Sequence, residues 1–214
     1  MTINIINHSD LIPQIKNFSK SRYLDNDYME KEWEALWRKS WLLAGLESDV
    51  AKAGNYFVFD IGREQILVTR NNSGTIQGFY NVCQHRGNML VKDEIGKAAN
   101  FRCAYHAWTY DIDGQLSIIP YKERFLNGVP CDELSLRKVH TEVWNGFVFI
   151  NMSESPEPLL HFLGPLADQL APYRFGKMVL MEDQTVQLDC NWKAVIDNFS
   201  ELYHVDFLHP QHKR

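Results

Sequence analysis

Four cysteines in 214 residues are too few for a disulfide scaffold. No run approaches the roughly 20 apolar residues that a helical membrane span requires. Positive charge is not in excess either. The 22 lysines and arginines stand against 27 aspartates and glutamates, for a net charge of −5, which removes the electrostatic draw of nucleic acid or an anionic membrane. Met1 to Lys20 lacks the basic opening and apolar stretch of a secretory signal. No internal repeat or low-complexity tract is visible. These absences lead to the expectation of a cytoplasmic chain with reduced thiols. What is present is ordinary for one or two globular domains, with 45% apolar and 23% charged residues.

Two short motifs carry chemistry. Cys83-Gln84-His85 and Cys103-Ala104-Tyr105-His106 stand with 17 residues between His85 and Cys103. Each offers one soft thiolate and one imidazole. Together they supply the inventory of a [2Fe–2S] cluster in which two histidines replace two cysteines on one iron, a Rieske centre that moves single electrons. A finger-type zinc site runs Cys, Cys, His, His with wider gaps in its histidine half. Here the order is Cys, His, Cys, His, and each pair is tight for one tetrahedral ion. The plainer alternative is that these cysteines are buried thiols without metal. Cys131 and Cys190 are expected as free thiols.

Hydrophobic spacing predicts the elements. Met29, Trp33, Leu36, Trp37 and Trp41 recur at helical intervals, so Asp27 to Trp41 reads as a helix capped by Asp27. From Leu42 to Met152 the pattern changes to short strands. Tyr56–Phe59, Gln65–Val68 and Ile76–Val82 are strand-like, the last following a turn at Asn71–Gly74. A hairpin at Asp113–Gly114 joins Trp108–Ile112 to Gln115–Ile119, and Val143 to Asn151 reads as one long strand. Such strands argue an antiparallel β-sandwich or barrel of about 110 residues, with both Cys/His pairs at loop tips. Gly87 would let backbone approach a sulfide closely. Tyr105 and Trp108 would shield a cluster or pack as ordinary core. Ser153 to Pro158 reads as a linker, Pro165 to Phe175 as a helix and Val179 to Asp189 as a strand.

The last segment holds a second constellation. Asn191 can cap a helix. At about 100° per residue, Asp197, Glu201 and His204 share one face of it. His209 lies five residues past His204, so both imidazoles reach one metal only where the helix bends or bulges. Pro210 supplies a reason, since it disfavours helical geometry at His209. Two imidazoles and a carboxylate form the facial set of non-haem iron(II) oxygenases, which leaves positions open for O2. The plainer alternative is a surface helix with two solvated histidines.

With Cys-x-His, Cys-x-x-His, Asn191-Trp192-Lys193 and Glu-x-x-His-x-x-x-x-His-Pro (Glu201 to Pro210) in that order, the chain resembles the α subunits of the Rieske non-haem iron oxygenases over nearly its whole length. The resemblance implies an α+β fold: an N-terminal helical segment over 1–41, an all-β Rieske [2Fe–2S] domain over 42–152, and the start of a helix-grip catalytic domain over 153–214. It implies that Cys83, His85, Cys103 and His106 hold the cluster. His204 and His209 would hold a mononuclear Fe(II), with Asn198 nearby. Glu201 matches the family's acidic bridge between a ligand like His204 and a cluster histidine like His106 of a neighbouring subunit. Many members carry Asp there, and Glu resembles the branch acting on quaternary ammonium compounds. The family's third iron ligand is a carboxylate on a later helix. After His209 come only Pro210, Gln211, His212, Lys213 and Arg214, so the catalytic domain is expected only in its first part, unless Asp197, Asp206 or Glu201 substitutes.

The implied function is that of a terminal oxygenase. Electrons from NADH or NADPH arrive through a separate reductase or ferredoxin and pass by way of the cluster to the iron. O2 is then inserted into an organic substrate, aromatic or quaternary ammonium. A homotrimer is implied, with neither nucleic acid nor membrane as a partner. The competing readings are a stand-alone Rieske ferredoxin-like carrier and an inactive remnant. Two irons per chain would mark the carrier, three the oxygenase.

Overall fold

Ten short strands occupy the Leu42–Asn151 stretch of the computed structural model, which describes residues 19–209 and 211. They are β1 (Leu42–Leu46), β2 (Asn55–Ile61), β3 (Glu64–Arg70), β4 (Ile76–Tyr80), β5 (Ile95–Lys97), β6 (Asn100–Arg102), β7 (Thr109–Asp111), β8 (Leu116–Ile118), β9 (Lys138–Trp144) and β10 (Phe147–Asn151). A seven-stranded sheet runs in the order β1-β10-β9-β4-β3-β2-β5, and β6-β7-β8 form a second, smaller one. Every pairing is antiparallel. The strand β3 explains why the larger sheet is stable. Its Ile66, Leu67, Val68 and Thr69 are fully buried, as both faces of a central strand become when each is covered. Leu67, Phe79, Phe101 and Tyr110 belong to one core cluster, and Cys83 and Cys103 are members of it. Core packing therefore reaches up to the two cysteines.

The expected all-β organisation is present, but several boundaries differ. The leading helix is interrupted. α1 (Ser21–Leu24) is followed by α2 (Asn26–Glu32), which runs into a π-helical turn over Trp33–Trp37. Its cap is Asp25, whose carboxylate accepts the Asp27 N–H at 2.9 Å. Asp27 instead lies in the first turn, where its charge complements the helix dipole. Trp41 is outside the helix. Its indole N–H donates to the Glu157 carbonyl at 2.8 Å, so its burial comes from packing beside the sheet rather than from the helical period.

The single strand expected from Val143 to Asn151 is a hairpin. Asn145 and Gly146 take φ of 52° and 88°. Positive φ at both central residues gives the two-residue turn whose twist matches its flanking strands, and Trp144 pairs with Phe147 across it. Further on lie α3 (Leu159–Leu163) and α4 (Pro165–Leu170), the second continuing into single 3-10 turns instead of a longer helix. No strand forms over Val179–Asp189 among the described residues, because no neighbour supplies the ladder hydrogen bonds. The last helices are α5 (Trp192–Phe199) and α6 (Val205–Leu208). Pro210 lies outside the described residues.

The described parts of Met1–Glu34 and Glu182–Arg214 form one compact unit, and Ala35–Met181 forms the other. Among the described residues no helix is long and apolar enough to cross a membrane.

Two glycines test the turn geometry. Gly74 and Gly146 both require positive φ, but only Gly146 is crowded. A Cβ there would stand 2.7 Å from the Gly176 nitrogen and closer still to its Cα, whereas at Gly74 it would meet nothing within 4 Å. Gly74→Ala is expected to lower stability by about 1–2 kcal/mol, the cost of left-handed backbone. Gly146→Ala should lose clearly more, read as the shift in urea midpoint at constant slope. Equal losses would contradict the close backbone packing at the β9–β10 turn.

Candidate metal centre

Two loops with one hydrogen-bond pattern present the first constellation. In the loop after β4, Cys83 N–H donates to the Asn88 carbonyl at 2.8 Å, and Gly87 N–H donates back to the Cys83 carbonyl at 2.9 Å. In the loop between β6 and β7, Cys103 N–H donates to the Trp108 carbonyl at 2.8 Å, and Ala107 N–H to the Cys103 carbonyl at 3.0 Å. The fourth residue after each cysteine takes positive φ, 69° at Gly87 and 57° at Ala107. For alanine this conformation costs about 1–2 kcal/mol, and the hydroxyl of buried Thr109 helps hold it by donating to the Ala107 carbonyl at 3.1 Å. A Cβ on Gly87 would meet nothing within 4 Å, so the conformation rather than close approach accounts for glycine there.

The matched loops place the cysteines in equivalent, buried positions. The histidines stand farther out and half-buried, with ring centroids 4.7 Å apart and planes at 74°. The four side chains thus sort into a sulfur pair and an imidazole pair. Among the described residues, no three His, Cys, Asp or Glu side chains gather around one ion. A finger-type zinc site would need all four to converge on a point. Two metal positions, one facing each pair, suit the arrangement better.

Polar groups are aimed at the sulfurs. Gln84 N–H donates to the Tyr110 hydroxyl oxygen at 3.0 Å. The same hydroxyl lies 3.4 Å from Cys83 Sγ and can donate its proton to the sulfur of a thiolate. Asn88 Nδ2 lies 3.7 Å from Cys103 Sγ, so Asn88 touches both loops, through its carbonyl and through its amide. Burial pushes the Cys83 thiol up, only partly offset by Tyr110 and the His85 N–H. At Cys103 burial acts in the same direction, but the N–H groups of Tyr105 and His106, with Cys83 and Asn88, outweigh it and hold the thiol below its ordinary range. Burial, then the nearby His106 and Arg86, lower His85, which keeps it in the neutral form that ligates metals.

The donor set also passes a test of fit. His106 Nδ1 is buried with no hydrogen-bond partner. An unsatisfied buried polar atom costs about 1–3 kcal/mol, and a metal–nitrogen bond at that atom removes the cost. Trp108 is buried and stacks on His85 at 4.7 Å and 12°, while Tyr105 is mostly exposed beside His106. Trp108 thus screens the site and Tyr105 covers its outer edge.

The second constellation lies in the other unit. Asn191 caps α5 by accepting the Lys193 N–H at 3.0 Å, as its position before Trp192 suggests. The helix stops at Phe199, so Asp197, Glu201 and His204 do not share one continuous face. Asp197 instead accepts the Tyr23 hydroxyl at 2.6 Å. The chain turns over Ser200–Tyr203 and restarts at His204, which is the N-cap of α6, while His209 is its C-cap. The break therefore precedes His204 rather than falling between the histidines. Their rings lie 5.5 Å apart at 72°. The Glu201 carboxylate bonds His204 Nδ1 and accepts the Tyr203 N–H. That bond to His204, with the backbone donors, holds Glu201 below the usual carboxylate range. Asn198 is exposed in the last turn of α5. Sequence reasoning missed Tyr110, Asn88 and Gln84. A tyrosine inside a strand and polar residues inside a loop carry no signal that Tyr110 and Asn88 face the sulfurs or that Gln84 N–H holds Tyr110 in place.

Residues 40–139 match the family described as Rieske [2Fe-2S] domain, and residues 175–214 the family described as ring hydroxylating alpha subunit (catalytic domain). The glycine betaine monooxygenase oxygenase subunit of Pseudomonas aeruginosa (strain UCBPP-PA14) is 33% identical over 191 residues, covering 88% of this chain and 44% of that protein. The benzene 1,2-dioxygenase subunit alpha of Pseudomonas putida is 33% identical over 187 residues, covering 85% of this chain and 42% of that protein. The solved structure of the quaternary ammonium Rieske monooxygenase CntA with its substrate gamma-butyrobetaine has a TM-score of 0.85 at 31% identity, covering 90% of this chain and 56% of that one. Naphthalene 1,2-dioxygenase with indole bound has a TM-score of 0.80 at 30% identity, over 87% and 43%. The chain spans less than half the length of the curated relatives it matches.

One substitution isolates the Tyr110 hydroxyl. In the metal-free protein, Tyr110→Phe should lower stability by about 1–2 kcal/mol, because the Gln84 N–H loses its acceptor in a partly buried loop. Urea denaturation reads the loss, and an unchanged midpoint would mean that water serves Gln84 equally well.

Proposed function

The chain belongs to the Rieske-type ring-hydroxylating oxygenase α subunits, and from this premise we propose that it carries the electron-receiving centre and the iron-binding histidines of a terminal oxygenase. Cys83 and Cys103 would hold one iron of a [2Fe–2S] cluster, and His85 and His106 the other. His204 and His209 would hold a mononuclear ferrous ion. When bound, the cluster supplies one-electron storage and the ferrous ion supplies O2 chemistry. The observation that carries this reading is the sulfur pair and imidazole pair on matched loops, with His106 Nδ1 lacking any other partner.

The remaining roles belong to the chain's own groups. The N–H groups of Tyr105 and His106 favour a thiolate at Cys103, and the Tyr110 hydroxyl faces Cys83 Sγ. Hydrogen bonds directed at the sulfurs stabilise the more negative, reduced form and so set the potential. His85 Nδ1 and Nε2 stay free of an extra proton at neutral pH because its basicity is lowered. Glu201 takes the Nδ1 side of His204, which fixes the tautomer and leaves Nε2 as the donor atom. Asp197 is committed to Tyr23 and Glu201 to His204, so neither is placed to complete a two-histidine, one-carboxylate set. The domain limits we propose are 1–41, 42–152 and 153–214.

The donor would be a reductase or ferredoxin fed by NADH or NADPH, and the substrate a small organic molecule. Aromatic and quaternary ammonium compounds are both represented among the relatives. Glu201, where many members carry aspartate, favours the quaternary ammonium class. A homotrimer would bring Glu201 of one subunit towards His106 of the next. The four cysteines form no disulfide, which suits a cytoplasmic location.

Anaerobic reconstitution followed by iron and acid-labile sulfide analysis tests the assignments. Cys103→Ala and His106→Ala are each expected to abolish sulfide retention. Glu201→Gln should keep the wild-type metal content yet slow reoxidation of the reduced cluster by about 10- to 100-fold. Normal reoxidation in Glu201→Gln would remove Glu201 from the electron path. Two irons per wild-type chain with unchanged sulfide would favour the stand-alone carrier over the oxygenase.

A further inference from the structure

A side chain closes the base of the loop that presents Cys83 and His85. Asn81 stands just after β4, two residues ahead of Cys83, and is buried at 4% exposure. The Val91 N–H donates to its Oδ1 at 3.0 Å, and its Nδ2 donates to the Val91 carbonyl at 2.7 Å. Two bonds exchanged with one residue is the pattern of a hydrogen-bonded antiparallel pair, made here by an amide side chain. Asn81 Nδ2 also lies 3.3 Å from Gln65 Oε1, and the Asn81 N–H donates to the Gln65 carbonyl at 2.8 Å. The amide thus engages its donors and its acceptor together. Through Gln65 the clasp is tied to β3, an interior strand of the larger sheet.

The two cysteine loops are closed by different means. The Cys103 loop caps a hairpin, with Arg102 of β6 paired with Thr109 of β7 directly beneath it. The strands flanking the Cys83 loop do not pair with each other: β4 ends at Tyr80, β5 begins at Ile95, and β5 pairs with β2. Outward from the Asn81–Val91 clasp come one isolated bridge, Val82 to Met89, and then the bond from Cys83 N–H to the Asn88 carbonyl. The Asn81 amide therefore supplies a rung of the kind that β6 and β7 supply for the other loop. We propose that Asn81 is a positioning residue for the cluster, which by holding Val91 sets where Cys83, His85 and the Asn88 amide stand relative to the Cys103 loop. The inference rests on the reading of Cys83 and His85 as cluster ligands, and the experiment separates the two claims.

Hydrogen exchange on the metal-free full chain and EPR on the reconstituted, reduced one decide it. Asn81→Leu keeps the approximate size of the side chain and removes its hydrogen bonds. The amides of Cys83 and Gly87 should then exchange at least about tenfold faster, while those of Cys103 and Ala107 keep their wild-type rates. Asn81→Asp is a second variant of nearly unchanged shape, which retains the acceptor for the Val91 N–H and loses the donor. It should act in the same direction. Val148→Ala serves as the control, because it leaves a cavity at a buried position of β10 and lowers stability without touching the clasp. The g values of the reduced cluster should shift in both Asn81 variants and stay at their wild-type positions in Val148→Ala. Wild-type rates at Cys83 and Gly87 in both Asn81 variants, equal acceleration in the two loops, or unshifted g values would overturn the proposal. If the wild-type chain retains no labile sulfide, the cluster assignment itself fails, while the exchange data still judge the hold of Asn81 on its loop.

Discussion

The backbone bonds that close each cysteine loop are the constraint on which the cluster-bearing unit depends. In both loops the cysteine donates to a carbonyl five residues on and accepts from an amide four residues on, through a left-handed residue. This fixes both sulfurs at the boundary of the core, where Tyr110, Phe101 and Leu67 pack. It also throws the histidines outward. The imidazole lies two residues after Cys83 but three after Cys103, and the two rings still meet at 4.7 Å. The loops reinforce each other, because Trp108 of one stacks on His85 of the other and Asn88 of one reaches Cys103 of the other. Removing the bonds of one loop would therefore disturb both donor pairs.

The two units use different means to hold their donors. Around the cysteines, the hydrogen-bonded loops are seated on buried strands, so backbone bonds and core packing act together. In the unit containing α5 there is little core among the described residues, and large apolar side chains stand exposed along the last helices. Polar contacts tie its described elements together: the Asn191 cap, the Tyr23–Asp197 bond and the Lys193–Glu32 ion pair. Polar contacts are directional, so they can set the angle at which α5 leaves its neighbours even where little apolar area is buried.

Chemistry was more legible in the sequence than geometry was. The order and spacing of Cys83, His85, Cys103 and His106 identify a donor inventory because ligand type and chain reach are local properties. The same holds for Asn191, whose capping depends only on its own side chain and the next two residues. Misreadings arose where a local signal was masked or where tertiary contacts decided. Asn145–Gly146 is a strong hairpin signal, but it sits inside an apolar run that reads as one strand. Trp41 repeats the helical period by coincidence, its burial being set by the distant Glu157. Val179–Asp189 alternates like a strand, yet a strand exists only if a neighbour pairs with it. Asp197 fits a helical face shared with Glu201 and His204, but the chain breaks at Ser200 and Tyr23 claims its carboxylate. Tyr110 was invisible for the same reason, since its role comes from a sulfur 27 positions away in sequence.

Mössbauer spectroscopy of the reconstituted, 57Fe-labelled chain probes the two donor pairs most directly. Two cluster irons in equal amount should give distinct quadrupole doublets, one from an all-sulfur environment and one from an iron with nitrogen ligands. On one-electron reduction the ferrous character should appear on the nitrogen-ligated iron. A single doublet for both cluster irons, or iron that binds without labile sulfide, would contradict the division of the four side chains into a sulfur pair and an imidazole pair.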